Sequence, residues 1–321
     1  MKVLLVATRD PYGRLSGRRA VLRTIVRACA ALDHEVRVLA VTRDPLTAGD
    51  VPVVALRPPR LPRILLNVLT RATTGRLSLN ECLYVSPALR RAVRRTAAEW
   101  EADVVVADML RTASLALGTD RPTVVDLDDL LSTRYRSLSH GPSSGANLLG
   151  YYGASLPAVL ARPLGWGAAR LLAVEARLVA RRERQVAQRA TVVSLVAEEE
   201  ASAFQDQVGR RVAWLPMAVP VPSTPALVAA NPSDRLVFVG GLDYQPNLDA
   251  VRRFVRGVAP ALAARGAPDA RLRVVGHCPE AVRAELAGSS AVELLGFVDD
   301  LAAELAGARA FVAPIPPGTG V

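Results

Sequence analysis

Glycine closes three short apolar runs in the last third of this 321-residue sequence. They are Leu236-Val-Phe-Val-Gly-Gly241, Val274-Val-Gly276 and Leu294-Leu-Gly296. A glycine has no Cβ, so a ligand can approach its backbone N–H closely. Three such ends in succession make a floor on which a nucleotide could lie. After Gly240 and Gly241 comes Leu-Asp-Tyr-Gln-Pro-Asn247, where a helix begins. Asn247 is placed either to border a ligand or to cap that helix. Gly17 stands at another helix start, where backbone N–H groups and the helix dipole favour an anion. The loop before it is longer than a dinucleotide fingerprint and lacks its spacing, so a plain loop explains it equally well.

Other chemistries find less support. Cys29, Cys82 and Cys278 are far apart, and with His34, His140 and His277 they form no metal-ligand spacing. The adjacent pair His277-Cys278 is a poor site on its own. No metal and no cofactor is expected, and the cysteine usage fits a reducing cytoplasm. The N-terminal apolar run is too short for a signal peptide. No uncharged apolar stretch reaches the length of a membrane span.

Elements that could position these residues alternate regularly. Apolar runs are expected as strands at Lys2–Ala7, Glu35–Val41, Val51–Leu56, Asp103–Ala107, Thr123–Leu127 and Thr191–Leu195, then Val212–Leu215, Arg235–Gly240, Arg271–Gly276, Val292–Leu295 and Arg309–Pro314. Most are apolar at consecutive positions, as parallel strands covered on both faces are. Helical patterns lie between them at Gly17–Leu32, Ser86–Trp100, Ala169–Ala190, Leu248–Arg265 and Pro279–Ala287. The rhythm predicts a doubly wound α/β fold. It breaks at the proline-rich stretch around 221–231, which reads as a linker between residues 1–220 and residues 232–321. Ligands of such sheets sit at the carboxyl ends of strands, here in a cleft between two Rossmann-like domains.

Charge divides along the same line. The whole chain carries 40 basic and 30 acidic residues. Residues 1–220 hold 31 and 20 of these, and residues 221–321 hold 9 and 10. The excess concentrates at Arg57, Arg60, Arg63, Arg71, Arg76, Arg90, Arg91, Arg94 and Arg95, with Glu81 the lone acid among them. Arg63-Ile-Leu-Leu-Asn-Val-Leu-Thr-Arg71 sets leucines between arginines. Such an element can lie in a membrane interface with arginines on anionic headgroups, or be an amphipathic helix with a solvated basic face. No aromatic residue interleaves the patch for base stacking, so nucleic acid is not an expected partner.

Phe238-Val-Gly-Gly-Leu-Asp-Tyr-Gln-Pro-Asn247, Val274-Val-Gly276, Gly296-Phe-Val-Asp299 and Val312-Ala-Pro314 together resemble the nucleotide-sugar domain of glycosyltransferase family 4, which has the GT-B fold. The likeness is greatest to sugar transferases with a Tyr-x-Pro-Asn turn. Pro11-Tyr12, Ser16-Gly17, Ser86-Pro-Ala-Leu-Arg90, Val125-Asp-Leu-Asp-Asp129 and Leu172-Ala-Val-Glu-Ala-Arg177 are similar to that subgroup's acceptor domain. The resemblance implies a retaining transfer from a nucleotide-diphosphate sugar to a glycan, lipid-linked or natural-product acceptor, without metal, in the cytoplasm or on the inner membrane face. It implies that Gly17 approaches the donor phosphates and that Gly240, Gly241 and Asn247 border the diphosphate. Gly276 and the Gly296, Phe297 and Val298 backbone would meet base and ribose. Pro314, Gly318, Thr319 and Gly320 would face the sugar and phosphates.

Three departures qualify that expectation. Residues 240–251 carry no basic side chain, and Arg252 and Arg253 lie further into the helix. A family-type histidine is missing after the central strands of the first domain, where Asp126, Asp128 and Asp129 stand instead. Asp126 or Asp128 could orient the acceptor hydroxyl or stabilise positive charge; capping of the next turn is the other use. The family's Glu-x7-Glu motif should begin just past Gly320, and the sequence ends at Val321. The apolar run Arg309–Pro314 is also expected as a central strand, with nothing after it to cover it. The chain therefore reads as an incomplete second domain with weak turnover. A domain that only binds a membrane or protein partner is the alternative function.

Overall fold

A computed structural model describes residues 1–13, 16–139, 164–218 and 233–315. The described chain parts into two compact units. All eleven apolar runs form strands, with no end shifted by more than three residues. The first unit holds β1 (Lys2–Ala7), β2 (Glu35–Val41), β3 (Val53–Leu56), β4 (Val104–Asp108), β5 (Thr123–Asp128), β6 (Val192–Leu195) and β7 (Ala213–Trp214). They form one sheet in the order β3-β2-β1-β4-β5-β6-β7, every pair parallel. Its centre is hydrophobic on both faces: Leu4, Leu5, Val6, Val38, Val105 and Val125 are buried. The strand order reverses between β1 and β4, which is where a doubly wound sheet opens a ligand crevice.

Helices of the first unit are α1 (Gly17–Ala31), α2 (Leu61–Asn67, continued by a π turn over Val68–Ala72), α3 (Leu79–Cys82) and α4 (Pro87–Glu99). They continue with α5 (Leu110–Ala116), α6 (Leu131–Ser139), α7 (Leu164–Arg189) and α8 (Glu198–Val208). The long α7 serves as a spine of buried polar groups. Its Glu175 accepts the first amides of α3, from Leu79 at 2.8 Å and Asn80 at 2.9 Å, and its Glu183 accepts the Ser132 amide of α6. Arg182 reaches Glu81 by two bonds and Ser114 by a third. These contacts satisfy helix-start donors that would otherwise be orphaned in the interior.

The second unit contains β8 (Ser233–Val239), β9 (Arg271–Val275), β10 (Val292–Gly296) and β11 (Ala308–Phe311), parallel in the order β10-β9-β8-β11. Its helices are α9 (Gln245–Arg253), α10 (Ala259–Ala264), α11 (Glu280–Leu286) and α12 (Leu301–Ala306). Phe238, Val251, Phe254, Leu272 and Val274 form its core. The expected single helix Leu248–Arg265 is broken by a π turn over Phe254–Val258. Pro260, near the start of α10, has no N–H to donate and its ring crowds the carbonyl four residues back, so the turn widens. Among the described residues β11 pairs with β8 alone, and Phe311 on it is 58% exposed. The expected linker 221–231 and the residues Gly318, Thr319 and Gly320 lie outside the described residues.

Candidate functional site

In the first unit, the loop after β1 is fixed before it reaches α1. Asp10, buried, accepts the amides of Tyr12 at 2.9 Å and Thr47 at 2.7 Å. Arg23 of α1 reaches back to the carbonyls of Pro11, Tyr12 and Gly13 at 2.6, 3.0 and 2.8 Å. The Tyr12 ring lies so close over Gly49 that a Cβ there would collide with it. Ser16 is the residue before α1; its side chain makes no cap to the helix amides, and no acid stands in the first turn. A Cβ on Gly17 would meet nothing within 4 Å. The helix start thus has open space at Gly17 and no side-chain cap from Ser16, as an anion site requires.

One residue on, Arg18 lies across the switch point. It binds Asp108 at the end of β4, with Nε–Oδ1 at 2.6 Å, and Asp126 at 2.6 Å and Asp128 at 2.9 Å at the end of β5. Burial opposes a charge on Arg18, but Asp108, Asp126 and Asp128 together outweigh it and hold the guanidinium above its ordinary range. Asp126 also accepts from Ser194 Oγ at 3.0 Å and from the Asp128 amide at 3.3 Å. Its oxygens are thus occupied. Asp128 is different: it is partly exposed, and burial pushes its carboxyl up against the pull of Arg18. The backbone is strained at both strand ends, with φ at +64° for Met109 and +69° for Asp128. Such conformations cost about 1–3 kcal/mol each and persist where the surroundings enforce them. Neither aspartate caps the following helix. Asp129 instead pairs with Arg134.

In the second unit the strand ends are built from backbone. The Gly240 amide donates to Val275 O at 2.8 Å, and the Gly276 amide to Gly296 O at 2.7 Å, so three glycine turns lie in a row. Gly276 has φ +140°, and a Cβ on it would sit 2.5 Å from Gly240 O. Asn247 is inside α9, not at its cap, which is Tyr244. Its Nδ2 donates to Gly241 O at 2.9 Å and latches the glycine turn to the helix. Pro314 follows β11, the strand paired with β8, so the topology sets it beside the Gly240 end. His277 and Phe297, each directly after a glycine, stack with ring centroids 6.4 Å apart. Arg252 is engaged by Glu285 at 2.6 Å, so its charge is not free for a ligand.

The topology thus gathers Gly240, Gly241, Asn247, Gly276, Gly296, Phe297 and Pro314 at one end of one sheet, and Gly17, Asp126 and Asp128 at one end of the other. Arg18 and Asp108 were missed in the sequence. Their signal was an acidic residue closing each of two neighbouring strands, opposite an arginine in the first turn after a third. Of the basic set, Arg94 pairs with Asp120 at 2.8 Å and Arg95 with Glu99 at 3.7 Å.

The glycosyl transferase 4-like domain model matches residues 16–219, and the model described as glycosyl transferases group 1 matches residues 233–321. No curated protein matches the chain. Among solved structures, sucrose-phosphate synthase from Thermosynechococcus elongatus superposes with TM-score 0.64 at 15% identity, over 98% of this chain and 75% of that one. WaaG, a glycosyltransferase involved in lipopolysaccharide biosynthesis, gives 0.53 at 16%, over 97% and 75%. The UDP-forming α,α-trehalose-phosphate synthase from Burkholderia xenovorans gives 0.53 at 13%, over 97% and 78%. The fold is GT-B-like, with two Rossmann-like domains. The chain belongs to the glycosyl transferase 4-like family and is a glycosyltransferase.

Proposed function

We propose that this glycosyltransferase moves a sugar from a nucleotide-diphosphate donor to a glycan, lipid-linked or small-molecule acceptor, in the cytoplasm, with retention at the anomeric carbon and without a metal ion. The observation that carries this reading is the row of glycine turns at Gly240, Gly276 and Gly296. A surface of backbone amides without side chains suits a flat base and a diphosphate. The bond from anomeric carbon to leaving phosphate breaks with its electron pair on the phosphate oxygen. Amides of the glycine turns and the start of α9 can stabilise that charge. The acceptor oxygen bonds to the same face of the carbon, and its proton ends on the leaving diphosphate.

Asp128 is the better candidate than Asp126 to orient the acceptor hydroxyl. Asp126 has its oxygens taken up by Arg18, Ser194 and the Asp128 amide, whereas Asp128 is partly open to solvent. Asp126 then acts as a positioning residue for Arg18.

The test is thermal stabilisation of the chain by UDP, GDP and dTDP, followed by transfer from the matching sugar nucleotide. A ligand at a hundred times its Kd should stabilise by about 2.7 kcal/mol. Stabilisation by none of the three would remove the donor assignment. Stabilisation without transfer, on a broad acceptor panel, would favour the role of a binding domain alone.

A further inference from the structure

Helix α2 and the π turn that continues it are amphipathic in the wrong sense for a water-facing surface. Leu61, Leu65, Leu66 and Leu69 are 53%, 54%, 46% and 70% exposed. The inward face carries Asn67, buried and donating to Cys82 O at 3.2 Å and Val85 O at 2.8 Å, beside buried Ala72 and half-buried Ile64 and Val68. A surface helix normally turns its leucines to the core and its polar groups outward. Here a polar anchor fixes the helix and four leucines point away from the protein. Val54 on β3, the edge strand just before, is also 46% exposed. Contiguous exposed apolar surface of this kind marks an interaction site.

The charge around it specifies the partner. Arg57, Arg60, Arg63, Arg71 and Arg76 flank the leucines, and residues 51–80 contain no acid. None of the five makes an ion pair with any of the described residues. Glu81, the nearest acid downstream, is buried and bonded to Arg182. On helix α4, Arg94 and Arg95 have acidic partners, while Arg90 and Arg91 make no ion pair with the described residues. Leucines flanked by uncompensated arginines, without an aromatic residue for base stacking, fit an anionic lipid surface.

We propose that Leu61–Ala72 seats the protein on anionic membrane lipid, with the leucines in the interface and the arginines at the headgroups. Among the described residues no helix is long and apolar enough to cross a membrane, so the contact is interfacial. The proposal does not rest on the donor assignment, because neither the surface nor its test involves a nucleotide.

The experiment is co-sedimentation of the whole chain with phosphatidylcholine vesicles, with and without phosphatidylglycerol, at low and high salt. Binding should require phosphatidylglycerol and weaken with salt. The double variant Leu65→Asn/Leu69→Asn should lower the partition coefficient at least about ten-fold. Arg57→Ala and Arg60→Ala should lower it about five-fold each. All four side chains are exposed, so melting curves should match the parent. Failure to sediment with anionic vesicles would overturn the proposal, as would equal sedimentation of the leucine variant. So would concentration-dependent dimerisation in the absence of vesicles that Leu65→Asn/Leu69→Asn abolishes, because a second copy would then cover the face.

Discussion

The two sheets end in opposite ways. At the end of β1, Arg18 gathers three carboxylates from two neighbouring strands, and everything is held by charge. At the end of β8, the turns at Gly240, Gly276 and Gly296 approach each other backbone to backbone, with side chains removed. One region orders its site by electrostatics in a partly dry environment, the other by the space that glycine leaves. The same parallel topology supports both, so the difference lies in which residue each strand places last. A charged end can position a hydroxyl or a sugar; a bare amide end can accept a base or phosphate.

The largest effect should come from breaking the charged end. Arg18→Met keeps the length of the stem and removes the guanidinium, leaving Asp108, Asp126 and Asp128 close together without a cation. Breaking one side of a buried ion network costs about 3–5 kcal/mol, which urea unfolding would measure. Arg18→Lys should recover part of the loss, because a lysine restores charge but not the planar fork that serves several carboxylates at once. Loss of less than about 1 kcal/mol in Arg18→Met would mean that the cluster contributes little and that the comparison is drawn too sharply.

The bare end breaks by addition. Gly276→Ala forces a side chain into φ +140° and sets its Cβ 2.5 Å from Gly240 O. Strain at such a position is about 1–3 kcal/mol before the two turns separate. The variant should melt lower and lose stabilisation by nucleotide together. Unchanged melting with unchanged nucleotide response would show that the glycine row is not a tight assembly.

The first unit should also lose stability as pH rises towards neutrality. Burial pushes the carboxyls of Glu175 and Glu183 up to about 7, against hydrogen bonds from the amides they cap. In the unfolded chain they titrate near 4.5. The folded state therefore binds these protons more tightly. The stability they contribute is fully present below the unfolded value and is lost as pH rises through about 4.5 to 7. The loss is at most about 3 kcal/mol per group. Melting followed at pH 5.5 and pH 8 should show it, and Glu183→Gln should remove Glu183's share and leave that of Glu175, because the amide oxygen can still accept from Ser132. A rise in stability over that interval would contradict the assignment.

The sequence made the sheets legible because consecutive apolar residues and strand-end glycines are local signals. It made the glycine row legible for the same reason. Arg18 was not legible, because its partners are 90 to 110 positions away and only the strand order β1-β4-β5 brings them together. The bond from Asn247 to Gly241 O has no local signal, because it depends on how the turn folds back over α9. Ion pairs to Asp120 and Glu99, which the composition of 57–95 does not show, take up Arg94 and Arg95, while the arginines around α2 make no ion pair with the described residues.

The smallest effect on stability separates ligand chemistry from packing. Gly17→Ala adds a methyl group where nothing lies within 4 Å, at an ordinary helical position in the first turn of α1. Alanine is a better helix former than glycine by about 0.5–1 kcal/mol, so the unliganded variant should melt unchanged or slightly higher. If Gly17 serves only the fold, nothing further follows. If its open space admits a phosphate against the helix start, the methyl occupies that approach, and nucleotide stabilisation or sugar transfer should fall while stability does not. The paired readout turns the comparison into a measurement: at Gly276 glycine is required by the protein's own backbone, and at Gly17 it would be required only by something that binds there. Equal nucleotide response and equal transfer in Gly17→Ala would remove Gly17 from the site and leave Arg18 and its carboxylates as the first unit's contribution.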